Sequence, residues 1–218
     1  MNELEIIELG NNIYNERDIS PAQLGVTSRQ INYWIDKAVV PFVEKQQPKE
    51  VENKKKDTLK TKKENKTKWI RLDLSQAVWV SIVKELLSFG VSIEQLAELA
   101  KSVWQKPREN KYADSVFRAH INNKIHEISD KNINILKKNL ADETQMENYY
   151  RTIINPFTDM VKSAFKRETL PHSMLYVSET NDYNFVNGSN KLILDLGSVY
   201  LKHPMICLPM APIISKVL

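Results

Sequence analysis

Residues 44–68 constrain this chain more than any other stretch. Ten lysines stand there against five acidic residues, a local charge of +5 in a chain of net charge +4, which leaves −1 for everything else. Val51 and Leu59 are its only sizeable apolar residues. A segment of this composition cannot bury enough surface to fold alone, so it must run as a loop between parts that have cores of their own. Two readings fit the loop by itself, a solvated linker without a partner and a basic strap lying along phosphates. The flanks decide between them. With 218 residues, of which 42% are hydrophobic, the chain has material for more than one core. No uninterrupted apolar run approaches the roughly 20 residues that span a bilayer, so no membrane role is expected. The acidic start Met1-Asn2-Glu3-Leu4-Glu5 lacks the pattern of a secretory signal, and the expected compartment is the cytoplasm. A lone Cys207 offers neither an internal disulfide nor a thiolate metal site.

Before the loop, Ser20-Pro21-Ala22-Gln23-Leu24 reads as a helix start with serine as N-cap and proline at the first helical position, and Gly25 breaks it. Thr27-Ser28-Arg29-Gln30 is a capping box, in which the threonine hydroxyl and the glutamine amide satisfy each other's free backbone amides. The helix it opens has Ile31, Trp34, Ile35 and Ala38 on its inward stripe and is expected to run to Val39-Val40, before Pro41. Ser28, Arg29, Asn32, Tyr33 and Asp36 form the other face. A short helix, a glycine turn and a second helix with a polar N-terminal face is the arrangement that places side chains in a DNA major groove.

After the loop, Asp73-Leu74-Ser75-Gln76 is a second box, followed by an apolar stripe of Val78, Trp79, Ile82, Val83, Leu86 and Leu87 that stops at Gly90. Ser92-Ile93-Glu94-Gln95 is a third, opening a helix with Ile93, Leu96, Leu99, Ala100 and Val103 toward a core. Spacing puts Trp34, Trp79 and Trp104 on apolar faces as packing residues, whereas Trp69 reads equally well inside or out.

The run from Gly25 through Ser28, Arg29, Tyr33 and Trp34 to Val39-Val40-Pro41 resembles the recognition-helix segment of MerR-type transcription regulators, and Arg71 to Leu96 resembles the same family's second helical pair. The resemblance covers about residues 12 to 104. It implies a winged helix-turn-helix whose wing is the Lys-rich loop, a DNA-binding dimer that distorts a promoter, and RNA polymerase as a further partner. The chain departs from the family where Asn32 replaces an arginine, Ala38 a glycine, and Ile70 and Leu72 the arginine and tyrosine that usually end the wing.

The candidate DNA-facing residues are therefore Ser28, Arg29, Asn32 and Tyr33 on the helix, Lys54, Lys55, Lys56, Lys62, Lys63 and Lys68 in the loop, and Arg71 beyond it. Arginine pairs bidentately with guanine and asparagine with adenine, which assigns Arg29 and Asn32 to base edges and Tyr33 to a phosphate. The bland reading of the same face is an ordinary solvated helix surface.

Tyr112 to Leu140 reads as helix, with Ile121, Ile125, Ile128 and Ile135 in steps of four, three and seven and Asn132 in the missing seam position. That pattern suits a short coiled coil joining two subunits or, equally, a helix within a bundle. Helix is expected again from about Glu143 to Arg167, broken near Asn155-Pro156. Beyond Pro171, runs at 174–177, 183–186, 191–194 and 198–201 read as strands, with a turn at Asn187-Gly188 and a proline-bearing tail suited to a sheet edge.

The expected fold is mainly α with a small C-terminal β-rich part and an N-terminal winged helix-turn-helix. The expected division is 1–108 with its loop 44–68, a helical region 109–170 that is the candidate for dimerisation, and a β-rich unit 171–218. No catalytic, cofactor or metal motif appears. His120 and His126 are six apart and do not share a helical face, Pro204 separates His203 from Cys207, and there is no phosphate-binding glycine loop. The expected function is a dimeric, sequence-specific regulator bound to double-stranded DNA and without enzyme activity. The alternatives are an architectural or excision factor of a mobile element and a protein-interaction module that has lost DNA binding.

Overall fold

The computed structural model describes residues 18–43, 45–46, 69–122, 130–144, 146, 155–165, 173–186 and 199–217. The described residues are mostly helical, with a three-stranded antiparallel sheet toward the C-terminus. A 3-10 turn, Pro21–Leu24, leads through Gly25 into α1, Ser28–Asp36. Strands β1, Lys45–Gln46, and β2, Trp69–Ile70, pair antiparallel and bring the two ends of the intervening segment together. Helix α2, Leu74–Ser88, is followed by α3, Ile93–Ala100, a π turn over Lys101–Gln105, and the short α4, Lys106–Glu109. Then come α5, Tyr112–Asn122, α6, Asp130–Ala141, and α7, Pro156–Phe165. The sheet is built from β3, Ser173–Val177, β4, Asp182–Val186, and β5, Ile206–Pro209, in the order β4-β3-β5. Helix α8, Val199–Lys202, precedes β5 and α9, Met210–Ser215, follows it.

All three capping boxes form. Gln30 N–H donates to Thr27 Oγ1 at 3.2 Å, Gln76 N–H to Asp73 Oδ1 at 2.8 Å and Gln95 N–H to Ser92 Oγ at 3.2 Å, while each glutamine Oε1 accepts from the backbone amide of its cap residue. Helix α1 is shorter than its sequence suggests. It ends at Asp36, and Ala38 lies beyond it, exposed, with φ +57°. Val39 N–H donates to Trp34 O at 2.8 Å and Ala38 N–H to Ile35 O at 3.0 Å, the pair of bonds that closes a helix through a left-handed residue. Ala38 is therefore a closing residue, not part of the inward stripe, and it occupies the position where glycine has no steric penalty. Ile31 and Trp34 are the residues of α1 that the core buries.

Helix α2 differs more from expectation. The sequence suggests one apolar stripe, yet every residue from Leu74 to Val83 is buried, including Val80, and Leu86 with them. A helix buried all round lies at the centre of a core. Helices α7 and α9 and strand β5 pack on α2 together with the 3-10 turn, so elements more than sixty residues downstream cover the side that the stripe leaves open. Trp79 meets Trp104 edge-on at 6.2 Å and Phe157 at 5.8 Å, and Trp104 meets Phe157 at 5.2 Å. Trp34, Trp79 and Trp104 are core residues, as their spacing suggests. One apolar cluster runs from Val26 and Ile31 through α2 to Met174, Leu208 and Ile214, so residues of the first and last expected parts share it.

The sheet alternates faces residue by residue. Met174 and Tyr176 face the main cluster, whereas Leu175 and Val177 meet Val186 and Tyr200 on the far side. That far side explains a correction. Residues 199–202 are helix, not the expected strand, and α8 covers the sheet with Tyr200. A four-residue apolar run carries no periodicity that separates the two choices. The sheet edge expected for the tail is β5, but Met210–Ser215 then turns helical and buries Met210, Ile213 and Ile214. The span 112–140 is not one helix, since α5 and α6 pack against each other. Asn155 caps α7, accepting from Thr158 N–H at 3.0 Å, with Pro156 as first helical residue, so the break expected there is a helix start. Ile125, Ile128, residues 191–194 and the turn Asn187-Gly188 lie outside the described residues.

Candidate nucleic-acid interface

The candidate face is built from the residues of α1 that the core does not use. Burial of Ile31 and Trp34 turns the opposite side of the helix outward, leaving Ser28, Arg29 and Tyr33 exposed, Tyr33 to 47%. Lys37, just past the end of α1, sits 5.9 Å over the Tyr33 ring, adding a cation beside the phenol that sequence reasoning did not single out. Asn32 is half-buried, and its amide donates to Ser28 O at 2.7 Å, so one of its two N–H groups is spent on its own helix. Four of the candidate residues thus lie on one helical face within two turns. Arg71 follows β2, half-buried, with Nη1 donating to Asp18 O at 3.2 Å. The next residue, Leu72, bridges Ile19 through reciprocal backbone bonds of 2.8 and 3.2 Å. Lys54, Lys55, Lys56, Lys62, Lys63 and Lys68 lie outside the described residues. The ribbon that closes their segment starts at Lys45, nine residues past the end of α1.

What holds α1 in place comes from α2. Three side chains of that helix donate to backbone carbonyls on both sides of α1. Lys84 Nζ reaches Leu24 O at 3.1 Å before the helix, and Trp79 Nε1 reaches Val39 O at 2.7 Å and Gln76 Nε2 reaches Phe42 O at 3.0 Å after it. Phe42, like Ala38, has a left-handed backbone (φ +62°), so the exit from α1 is a strained turn secured by these bonds. Gly25 is at φ +67°, and a Cβ there would stand 2.8 Å from Lys84 Nζ, so glycine serves both the turn and the lysine's approach. Sequence reading finds Gln76 as a cap and Trp79 as core but misses these second roles. The available signal is that glutamine, not glutamate, stands in the box. The oxygen caps the helix and leaves an NH2 free to reach another element. Gln95 repeats the device, donating from Nε2 to Ser178 O at 2.7 Å across to the turn after β3.

Among the described residues no group of three or more His, Cys, Asp or Glu side chains is close enough to hold a metal ion. None of their helices is long and apolar enough to cross a membrane. His203 Nδ1 and Glu179 Oε2 make an exposed pair at 2.7 Å. Two cavities, of about 140 and 330 Å³, are lined by Gln23, Leu24, Ser81, Lys84, Glu85, Ile213 and Lys216 and by Arg118, Asn122, Lys137, Leu140 and Ala141. They take in none of the candidate DNA-facing residues. No protein-family model, no curated protein and no solved structure matches the chain.

Proposed function

We propose that the protein is a sequence-specific regulator that binds double-stranded DNA through a winged helix-turn-helix. In this reading α1 enters the major groove and lysines of the loop 44–68 contact the phosphate backbone, the part a wing plays. The observation that carries the reading is the exposed polar face of α1, clamped by α2 at carbonyls before and after it. A face presented this way is held rigidly while contributing little to the core, which is what base reading demands of a helix. Arg29 is the residue assigned to a base edge, since Asn32 has part of its amide engaged. Tyr33 and Lys37 contact phosphate. The protein acts as a homodimer in the cytoplasm, engages RNA polymerase at a promoter and catalyses no reaction.

Anisotropy titrations with random-sequence duplex at two salt concentrations test the reading. Log affinity is expected to fall linearly with log salt as lysines displace counterions. Arg29→Ala should cost roughly 1–3 kcal/mol on a duplex enriched by selection while leaving random duplex nearly unaffected. No binding even in dilute buffer would overturn DNA recognition and favour a protein-interaction module.

A further inference from the structure

We propose that Trp79, buried in the core and out of reach of any ligand on α1, is a positioning residue for the DNA-reading helix through its indole N–H; this rests on the reading of α1 as the recognition element. The geometry turns on Val39. Its N–H is bonded to Trp34 O, inside α1, and its carbonyl to Trp79 Nε1, on α2. One backbone unit therefore ties the end of the reading helix to the centre of the core. Ile31 and Trp34 seat α1 in the same apolar cluster as α2, and the Trp79 bond adds a directional tie at the C-terminal end of α1.

Of the three α2 donors, Trp79 makes the buried bond, Gln76 a part-buried one and Lys84 an exposed one. Losing a donor to a buried carbonyl forfeits its full desolvation cost, whereas water replaces an exposed donor. The lever is long. Arg29 stands seven residues before Asp36, the end of α1, about 10 Å along the helix, so a tilt of 10° at the clip moves it by about 2 Å. Base contacts tolerate displacements of only about 0.5 Å. The contrast with Trp104 is instructive. That indole is equally buried and touches Trp79, yet its N–H has no acceptor among the described residues. At Trp79 the indole N–H is matched to Val39 O at 2.7 Å.

The test replaces Trp79 alone with 3-benzothienylalanine, which exchanges the N–H for sulfur and preserves the ring that meets Trp104 and Phe157. Affinity for the enriched duplex should fall about tenfold, while affinity for random duplex stays within twofold. 7-Azatryptophan at the same position, which retains the N–H, should restore the difference. Amide exchange in the DNA-free protein supplies a second readout. Gln30–Asp36 should lose protection about tenfold in the benzothienyl variant, with Ile93–Ala100 unchanged. Equal losses on both duplexes, or unchanged protection of α1, would overturn the positioning role. Failure of the unaltered protein to bind any duplex would sink the DNA reading instead, and the exchange experiment would still decide whether Trp79 holds α1.

Discussion

Helices α1 and α2 begin alike and end up in opposite surroundings. Each opens on a capping box with glutamine at its third position, and each closes through a left-handed residue, Ala38 or Gly90. Yet α1 gives the core two residues, whereas α2 gives it eleven of its fifteen. The exposed side of α1 is thereby free to vary in chemistry without cost to the fold, while α2 holds nearly every position to packing. The helix proposed to read DNA is the one the fold can spare, and the helix that holds it is the one the fold cannot.

The largest expected effect breaks this contrast if it fails. Val80 lies off the apolar stripe that the sequence suggests for α2, yet it is fully buried. Val80→Asp should abolish cooperative unfolding, because an unpaired buried charge costs several kcal/mol against a total stability of about 5–15 kcal/mol. Tyr33→Asp, the matching change on α1, should shift stability by no more than about 0.5 kcal/mol in urea titrations. Similar effects at the two positions would mean that the two helices are not differently placed.

A smaller effect sharpens the picture at the end of α1. Ala38→Gly relieves a left-handed alanine and should stabilise the protein by about 0.5–1 kcal/mol after the extra freedom of glycine in the unfolded chain is deducted. Calorimetry should show a rise of about 1–4 °C. No gain would mean that Ala38 does not hold that conformation in solution.

The smallest concerns the cover over α2. Burial, and then the hydrogen bond and charge of Asp159 on α7, push the Tyr112 phenol up to about 12, and burial does the same for Tyr176. Both are raised above the ordinary value of about 10, so the unfolded chain gives up these protons first. The associated stability is present below pH 10 and is lost as pH rises from 10 toward 12. Denaturation midpoints measured across that interval should fall, and less steeply in Tyr112→Phe. An identical slope in the variant would remove Tyr112 from the account.

What could be read from the sequence follows a physical division. The caps were legible because Thr27/Gln30, Asp73/Gln76 and Ser92/Gln95 interact over three residues. The outward face of α1 was legible because Ile31 and Trp34 fix its inward one. The all-round burial of α2 was not, because it depends on Phe157, Leu208 and Ile213, which arrive from distant elements. Residues 199–202 misled for the same reason, since a short apolar run takes its form from what it covers. Trp79 and Gln76 were legible as residue types in the right places but not as donors, because their acceptors at Val39 and Phe42 sit across the Lys-rich segment.

The shared cluster around α2 also sets an order of events during synthesis. Ribosomes extend a chain at roughly 5–20 residues per second, so α2 emerges on the order of ten seconds before Ile213 and Ile214 can cover it. For that interval the described helix with the most buried residues waits half-clothed, a natural client for the chaperones that greet nascent chains.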